Sequence, residues 1–362
     1  MGNPDNGSET LRKVEEFIKR SKMRIDDYVK SLWATISLMI LARECGGECF
    51  LRPKLRTDQD KRVTPDLLIH IRGEYAVGEL KSSLPNPEGL SELENDRIVS
   101  KIIGQLEKYD RDIREGWLTN YQLFLLIQGG LHKFQALLIE MLEGIKNQLT
   151  HGLSIINYFL HKRRSDRGIE GEMLVLSLSY GQFKGSAFKE FQRKLQSTFS
   201  VELPVLHQRM NEIFLLEEEV EDYLIPFVLV QFYLKVLPKS YDILSDDSLL
   251  RMRNEGKIRI EFSFDELYQK LAENFFISSH DGRKIPQFSK SLLRKILRLL
   301  VKLKLADELS RDGKEYYVIY WKPLRVKDPL DYFTRKYAKE KFGKILKEEK
   351  TEVKFETLEK WI

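Results

Sequence analysis

Asp66, Glu79 and Lys81 are the residues of this 362-residue chain whose types and spacing could do chemistry. They sit in Val-Thr-Pro-Asp-Leu-Leu-Ile-His-Ile (63–71), the turn Arg-Gly-Glu (72–74) and Tyr-Ala-Val-Gly-Glu-Leu-Lys (75–81). Two apolar runs joined by a tight turn predict an antiparallel pair of strands. The start of the first strand then lies beside the end of the second, so Asp66 approaches Glu79 and Lys81. Strand side chains alternate, so Glu79 and Lys81 share a face while Leu80 turns to the core. Two close carboxylates repel unless a cation neutralises them. Mg²⁺ is hard, prefers oxygen and keeps several waters, and Mn²⁺ suits the same ligands. Asp66 and Glu79 would hold the ion, with the Leu80 carbonyl as a further oxygen. Lys81 would orient or activate water and offset the charge of a phosphoryl transition state. The competing reading is a salt-bridged hairpin without function, because a bare Glu-x-Lys recurs by chance where 32% of residues are charged. Pro65-Asp66, the hairpin and the helix that follows agree with one another, which favours the chemical reading.

The elements that must position these residues can be read from periodicity. Residues 1–10 read as a loose tail, and Leu11–Leu41 as helix in two pieces broken near Ser21-Lys22, ended by Cys45-Gly46-Gly47. Glu48–Leu55, Val63–Ile71 and Glu74–Lys81 read as three strands. Arg97–Ile113 is helical, Tyr121–Gln128 a buried-type strand, and Lys133–Leu149 helical again. Ile155–Leu160 and Met173–Ser179 read as strands and Ala187–Ser197 as a helix. The order predicts an α/β domain with a mixed central sheet flanked by helices, over residues 11–205. A helical connector covers 206–256. Residues 257–326 then show helix (Phe264–Asn274, Ser263 as its cap), link, helix (Ser289–Leu305) and two strands around Asp312-Gly313, the outline of a winged helix-turn-helix. A charged helical tail, helical from Asp331 to Lys350, fills 327–362.

Pro65-Asp66 and Glu79-Leu80-Lys81, with a helix before and a helix after, resemble the PD-(D/E)XK nuclease superfamily over roughly residues 25–200. The resemblance implies a restriction-endonuclease-like fold, Asp66 and Glu79 as metal ligands and Lys81 as the catalytic lysine. Many members add an acid from the first core helix. Glu44, at the end of that helix, is the preferred candidate, with Glu48 the alternative and a solvated helix-end carboxylate the plain reading of either. The following helix carries Gln105-Leu-Glu-Lys-Tyr109, similar to the Gln-x-x-x-Tyr motif of the RecB-type branch. Residues four apart share a helix face. Either Gln105 and Tyr109 both face the site, or Tyr109 is core and Gln105 lies beside it. RecB-like members with an iron–sulfur cluster use four cysteines, and this chain has two, Cys45 and Cys49. They read as buried or free thiols in a reducing compartment.

Other chemistries are not indicated. There is no Gly-x-x-x-x-Gly-Lys-Ser/Thr, no Gly-x-Ser-x-Gly and no zinc spacing among the six histidines. His70, four residues after Asp66, could share its face, though a surface or core histidine is the commoner case. The polar stretch Met1–Thr10 lacks the apolar core of a signal peptide. The longest apolar run, Tyr223–Leu237, falls short of the ~20 residues that span a bilayer. These features predict a cytoplasmic protein without a membrane partner.

The net charge of +5 divides unevenly. Residues 235–362 carry 29 Lys and Arg against 21 Asp and Glu, a net +8, and residues 1–234 are at −3. Within Arg283–Lys304 there are eight basic residues and no acid. Lys290, Arg294, Arg298 and Lys302 recur every four residues opposite an apolar face of Leu292, Ile296, Leu299, Leu300 and Leu303. That pattern suits a helix with one face in the core and one against phosphates, with Arg311 and Lys314 in the adjoining turn. A solvated face and a protein-binding winged helix are the competing readings. The expectation is a metal-dependent deoxyribonuclease, an endonuclease, with DNA as partner. Its rivals are a non-catalytic DNA-binding protein on the same fold and a subunit of a restriction, transposition or other defence complex. A homodimer is a further expectation, since many nucleases of this fold are dimers.

Overall fold

The computed structural model describes residues 5–56, 62–81, 91–113, 118, 120–129, 132–145, 149–164, 170–210, 213–216, 220–243, 245, 257–322 and 326–348. Two compact units are present. One comprises residues 27–216 with 277–285, and the other residues 1–26, 217–276 and 286–362.

The first unit is α/β. It opens with α1 (Asp5–Glu44), which contributes residues to both units. α1 is one continuous helix, not two pieces, and it starts inside the stretch expected to be a tail. Ser21 does not break it because Phe17, Ser21, Ile25, Tyr28 and Leu32 form one buried face at helical spacing. Gly46 ends it with φ +75°, as its position after the last turn requires. β1 (Gly47–Leu51), β2 (Leu55–Arg56), β3 (Arg62–Val63), β4 (Leu67–Ile71) and β5 (Glu74–Lys81) follow. The first two expected strands are therefore each divided. Arg52, at φ +48° before Pro53, interrupts one, and Pro65, which has no N–H to donate, interrupts the other.

α2 (Glu92–Asp112) begins five residues before its expected start. Ser91 caps it: the Ser91 hydroxyl accepts from Glu94 N at 3.3 Å, and Glu94 Oε2 accepts from Ser91 N at 2.9 Å. Such a reciprocal cap contributes about 1 kcal/mol. β6 (Tyr121–Gln128), α3 (His132–Ile145), β7 (Leu153–Arg164), β8 (Glu170–Tyr180), α4 (Lys189–Gln196), β9 (Phe199–Glu202) and α5 (Leu203–Arg209) complete the unit. The sheet order is β1-β4-β5-β6-β7-β8-β9. β5, β6 and β7 are parallel and the other pairs antiparallel. α2 and α3 cover one face, burying Val99, Ile102, Leu106 and Leu138 on Val77, Leu123, Leu125 and Ile127.

Gly78 sits where the Phe124 ring crosses β5, and a Cβ there would lie 2.1 Å from the ring. The end of α2 is fixed by Asp110. Its carboxylate accepts from Thr150 N (2.7 Å) and His151 N (2.8 Å) and meets His151 Nδ1 at 2.9 Å. The Tyr121 ring stacks on His151, and the Tyr121 hydroxyl donates to the Tyr109 carbonyl at 2.6 Å.

The second unit holds α6 (Ile225–Gln231), extended by one π-helical turn into α7 (Leu237–Ser240). β10 (Ile258–Ser263), α8 (Phe264–Asn274), β11 (Phe276–Ser278), β12 (Lys284–Pro286), α9 (Lys290–Lys302), β13 (Ala306–Arg311), β14 (Lys314–Trp321) and α10 (Pro329–Glu348) follow in sequence, β11 and β12 falling mostly within the 277–285 segment that groups with the first unit. β10, β14 and β13 form an antiparallel sheet in that order. Asp312 (φ +52°) and Gly313 (φ +73°) make the expected tight turn. The link between α8 and α9, expected to be short, contains the β11 and β12 strands. Part of the connector, 246–256, and the end of the tail, 349–362, lie outside the described residues. Among the described residues no helix is long and apolar enough to cross a membrane.

Candidate active site

The last rung of the β4–β5 ladder pairs Leu67 with Gly78, so Asp66 stands one step beyond it, opposite Glu79. Asp66 Oδ2 accepts from the Leu80 N–H at 2.8 Å. Glu79 and Lys81 lie on the face that packs against α2, as the alternation of β5 requires. Lys81 Nζ donates to Glu79 Oε1 at 2.6 Å and to Gln105 Oε1 at 3.1 Å. Gln105 Nε2 donates to the Tyr109 hydroxyl at 3.1 Å, and that hydroxyl donates to Glu79 Oε2 at 2.8 Å. Lys81, Glu79, Tyr109 and Gln105 thus close a ring of four hydrogen bonds. Both halves of the Gln105/Tyr109 alternative hold at once. Tyr109 is buried in the core, and its hydroxyl still reaches the site.

The electrostatics follow from burial. Glu79 is 3% exposed, a costly place for a carboxylate unless each oxygen has a donor, and both have one. Burial, and then the Glu79 charge, push the Tyr109 hydroxyl well above the usual phenol range. Tyr109 therefore stays protonated and keeps donating. The Leu80 side chain is half-buried, not turned fully into the core.

The donors present fit a hard divalent cation of the Mg²⁺ class. Asp66, Glu79 and the Leu80 carbonyl are all oxygen ligands, and such an ion needs only one or two carboxylates when water and phosphate supply the rest. Among the described residues there is no group of three or more His, Cys, Asp or Glu that could hold a metal ion. Water and substrate oxygens would complete the shell.

Glu44 is not part of this site. It pairs with Lys194, beside the end of the sheet where Gly47 faces Ile71. Glu48 faces His70, four strand residues and so about 13 Å from Asp66. Sequence proximity to the end of α1 misled here, because β1 starts at the far end and runs toward Asp66. His70 shares the Asp66 face by alternation but sits at that same far end. It stacks on Tyr75 (centroids 4.6 Å apart) and accepts from Gly73 N.

Two residues escaped the sequence reading: Asp27, linked to the site through Tyr158, and Arg52, bonded to the Asp66 backbone. Asp27 is the α1 carboxylate whose charge acts on Tyr158, a buried phenol raised by burial first and by Asp27 second. The Tyr158 hydroxyl lies 3.5 Å from the Lys81 carbonyl. Asp27 lies seventeen residues, about 26 Å along α1, before Glu44. Arg52 is the second. It is buried at the end of β1, and its N–H donates to the Asp66 carbonyl at 2.9 Å. Its signal was Arg-Pro at a strand end, which reads as a turn.

In the second unit, α9 buries Leu292, Ile296, Leu299 and Leu300 and carries Lys290, Arg294, Arg298 and Lys302 on its other side. Several of these cations have local company. Arg294 lies 3.5 Å from Glu315 and over the Phe264 ring, Lys290 over Tyr268, and Lys302 3.9 Å from Glu340. Arg294, Arg298 and Lys302 line a groove of about 660 Å³ with Lys295 and Lys341. Arg311 pairs with Glu261 at 2.6 Å, and Lys314 starts β14 in an exposed position. Cys45 and Cys49 are buried free thiols.

No protein-family model, curated protein or solved structure matches this chain.

Proposed function

We propose that the chain is a metal-dependent deoxyribonuclease of PD-(D/E)XK type that hydrolyses phosphodiester bonds, with residues 258–321 acting as a winged helix that contacts DNA. One observation carries the reading. Asp66, Glu79 and Lys81, picked out by type and spacing, and Gln105 and Tyr109, picked out by the motif resemblance, converge at the strand ends of a mixed sheet. A salt-bridged hairpin alone would not need Tyr109 from another element aimed at its carboxylate, nor Gln105 bonded to both Lys81 and Tyr109. Mg²⁺, or Mn²⁺ in its place, would polarise the scissile phosphate and lower the pKa of a water. Asp66 and Glu79 would bind it. Lys81 would position the attacking water and offset developing charge, and Gln105 and Tyr109 would hold Lys81 and Glu79 in place. The β10-β14-β13 order around α8 and α9 supports the winged-helix reading, and the basic side of α9 with Lys314 supplies phosphate contacts. The test is cleavage of duplex, branched and single-stranded DNA with Mg²⁺ or Mn²⁺. Wild type should cut, and Asp66→Ala and Lys81→Ala should not. Equal cutting by the variants would sink the proposal.

A second reading, a DNA-binding protein on this fold without catalysis, is favoured by one feature. Both Glu79 oxygens are already engaged by Lys81 and Tyr109. Calorimetry that finds DNA binding but no divalent-cation binding would select it.

A further inference from the structure

β7 and β8 outrun the sheet at the candidate active-site edge. Among the described residues, β6 supports β7 only as far as Tyr158, facing Gln128, and β9 supports β8 only from Met173 to Leu176. The β7–β8 pair continues through Lys162–Glu172 and Arg163–Gly171 to Arg164–Glu170. Lys81 on β5 is level with Ile127 on β6 and Asn157 on β7. Everything on β7 after Asn157 therefore lies beyond the level of Lys81, reaching about 20 Å further at Arg163.

Alternation sorts the arm by face. Odd positions of β7 share the face of Glu79 and Lys81, because the register from β5 through β6 to β7 is unbroken. On that face stand Asn157, Phe159 and His161, with Arg163 at the next odd position. Their partners on β8 are Ser177, Val175, Met173 and Gly171, none of them acidic. Glu172, the acid of the arm whose side chain is described, takes the other face. It pairs with Lys162 at 3.4 Å. Glu202 on β9, which faces Met173, is two strand spacings, about 10 Å, from His161. Among the described residues Phe159 is the one Phe, Tyr or Trp in the exposed class, at 37%. The Asn157 Oδ1 is buried and has no hydrogen-bond partner among the described residues.

An exposed ring followed by the His161 donor, in line with the site and with no acid on that face of β7 and β8 among the described residues, matches what an unpaired strand needs. Bases stack on aromatic faces without regard to sequence, and donors along the path take the phosphates. A duplex offers no free base face to Phe159. We propose that the β7–β8 arm guides an unpaired DNA strand leading to or from the Asp66–Glu79–Lys81 site, with Phe159 stacking on a base and His161 donating to the backbone. The inference rests on the nuclease reading for the strand's destination, but its test needs no cutting.

The experiment measures binding of fluorescent single-stranded and duplex 20-mers to the full chain carrying Asp66→Ala, without divalent cation. Added Phe159→Ala and His161→Ala should each weaken single-strand binding, Phe159→Ala by about fivefold or more. Duplex binding should change less than twofold. Lys162→Ala, next door but on the opposite face, should leave single-strand binding within twofold, which separates face-specific contact from general charge. Unchanged single-strand binding in the Phe159 and His161 variants would overturn the inference, as would equal losses for both DNA forms or for Lys162→Ala. Arm-dependent single-strand binding in a wild type that never cuts would sink the nuclease reading and leave the arm standing.

Discussion

The Tyr109 hydroxyl donates to Glu79 Oε2 at 2.8 Å from inside the hydrophobic core, binding α2 to the candidate metal-binding carboxylate. A neutral donor held well above the usual phenol range does not compete for a proton with the acid–base chemistry proposed beside it. Tyr109→Phe keeps the ring and removes that donor. A hydrogen bond to a charged buried group is worth about 1.5–3 kcal/mol, and the variant should lose about that much in urea unfolding. Unchanged stability would mean that water replaces the hydroxyl.

Lys81→Ala should separate binding from turnover. Its ammonium occupies Glu79 Oε1, where a cation would bind. Removing it should tighten Mg²⁺ binding by about tenfold in calorimetry, equivalent to ~1.4 kcal/mol, while cleavage falls by about 100-fold or more. Weaker Mg²⁺ binding in the variant would show that Lys81 shapes the carboxylates instead of competing for them.

Gly78→Ala places a methyl group against the Phe124 ring. Overpacking of this kind costs about 1–3 kcal/mol, and a buried backbone on both sides leaves little room to relax. The variant should be destabilised by about 3 kcal/mol, and Phe124→Leu added to it should recover part of the loss in a double-mutant cycle.

Asp222 gives a pH-dependent prediction. Its carboxyl is held below the ordinary value of 3.8, first by the hydrogen bond from Lys341 and then by Lys295, against the opposing effect of burial. A carboxyl depressed on folding contributes stability that is fully present above its unfolded value and lost as pH falls through the folded one. The pair partners are partly exposed, so Asp222→Asn should cost only about 0.5–1 kcal/mol at pH 7. The gap between wild type and variant should close below pH 4. A constant gap from pH 7 to pH 3 would refute the ionic origin.

The hairpin carrying Asp66, Glu79 and Lys81 was legible because a turn residue pair between apolar runs leaves one sensible register. β5, β6 and α8 begin and end where their periodicity says. The Asp312-Gly313 turn was legible for a similar local reason. The arm beyond Leu160 was not. His161 to Arg164 carry no apolar alternation, and their strand conformation is imposed by pairing with β8. Glu44 was misplaced because the direction in which β1 leaves α1 is a tertiary fact. Asp27 was missed because its link to the site runs through Tyr158 on β7, and no local motif marks it. In the second unit, the basic stripe of α9 was visible, but the neighbours Glu315 and Glu340 that share its charge come from β14 and α10.

Tyr109 and Asp110 are adjacent in α2 and hold opposite obligations. The first serves Glu79, and the second clasps Thr150 and His151 at the entry to β7. The Tyr121 hydroxyl, bonded to the carbonyl between them, locks the two together. One turn of helix thus couples the seat of the carboxylate to the root of the strand that becomes the arm. Asp110→Asn would slacken both at once, so amide exchange at Gly152 and at Leu80 should rise in step, although neither residue touches the substituted side chain.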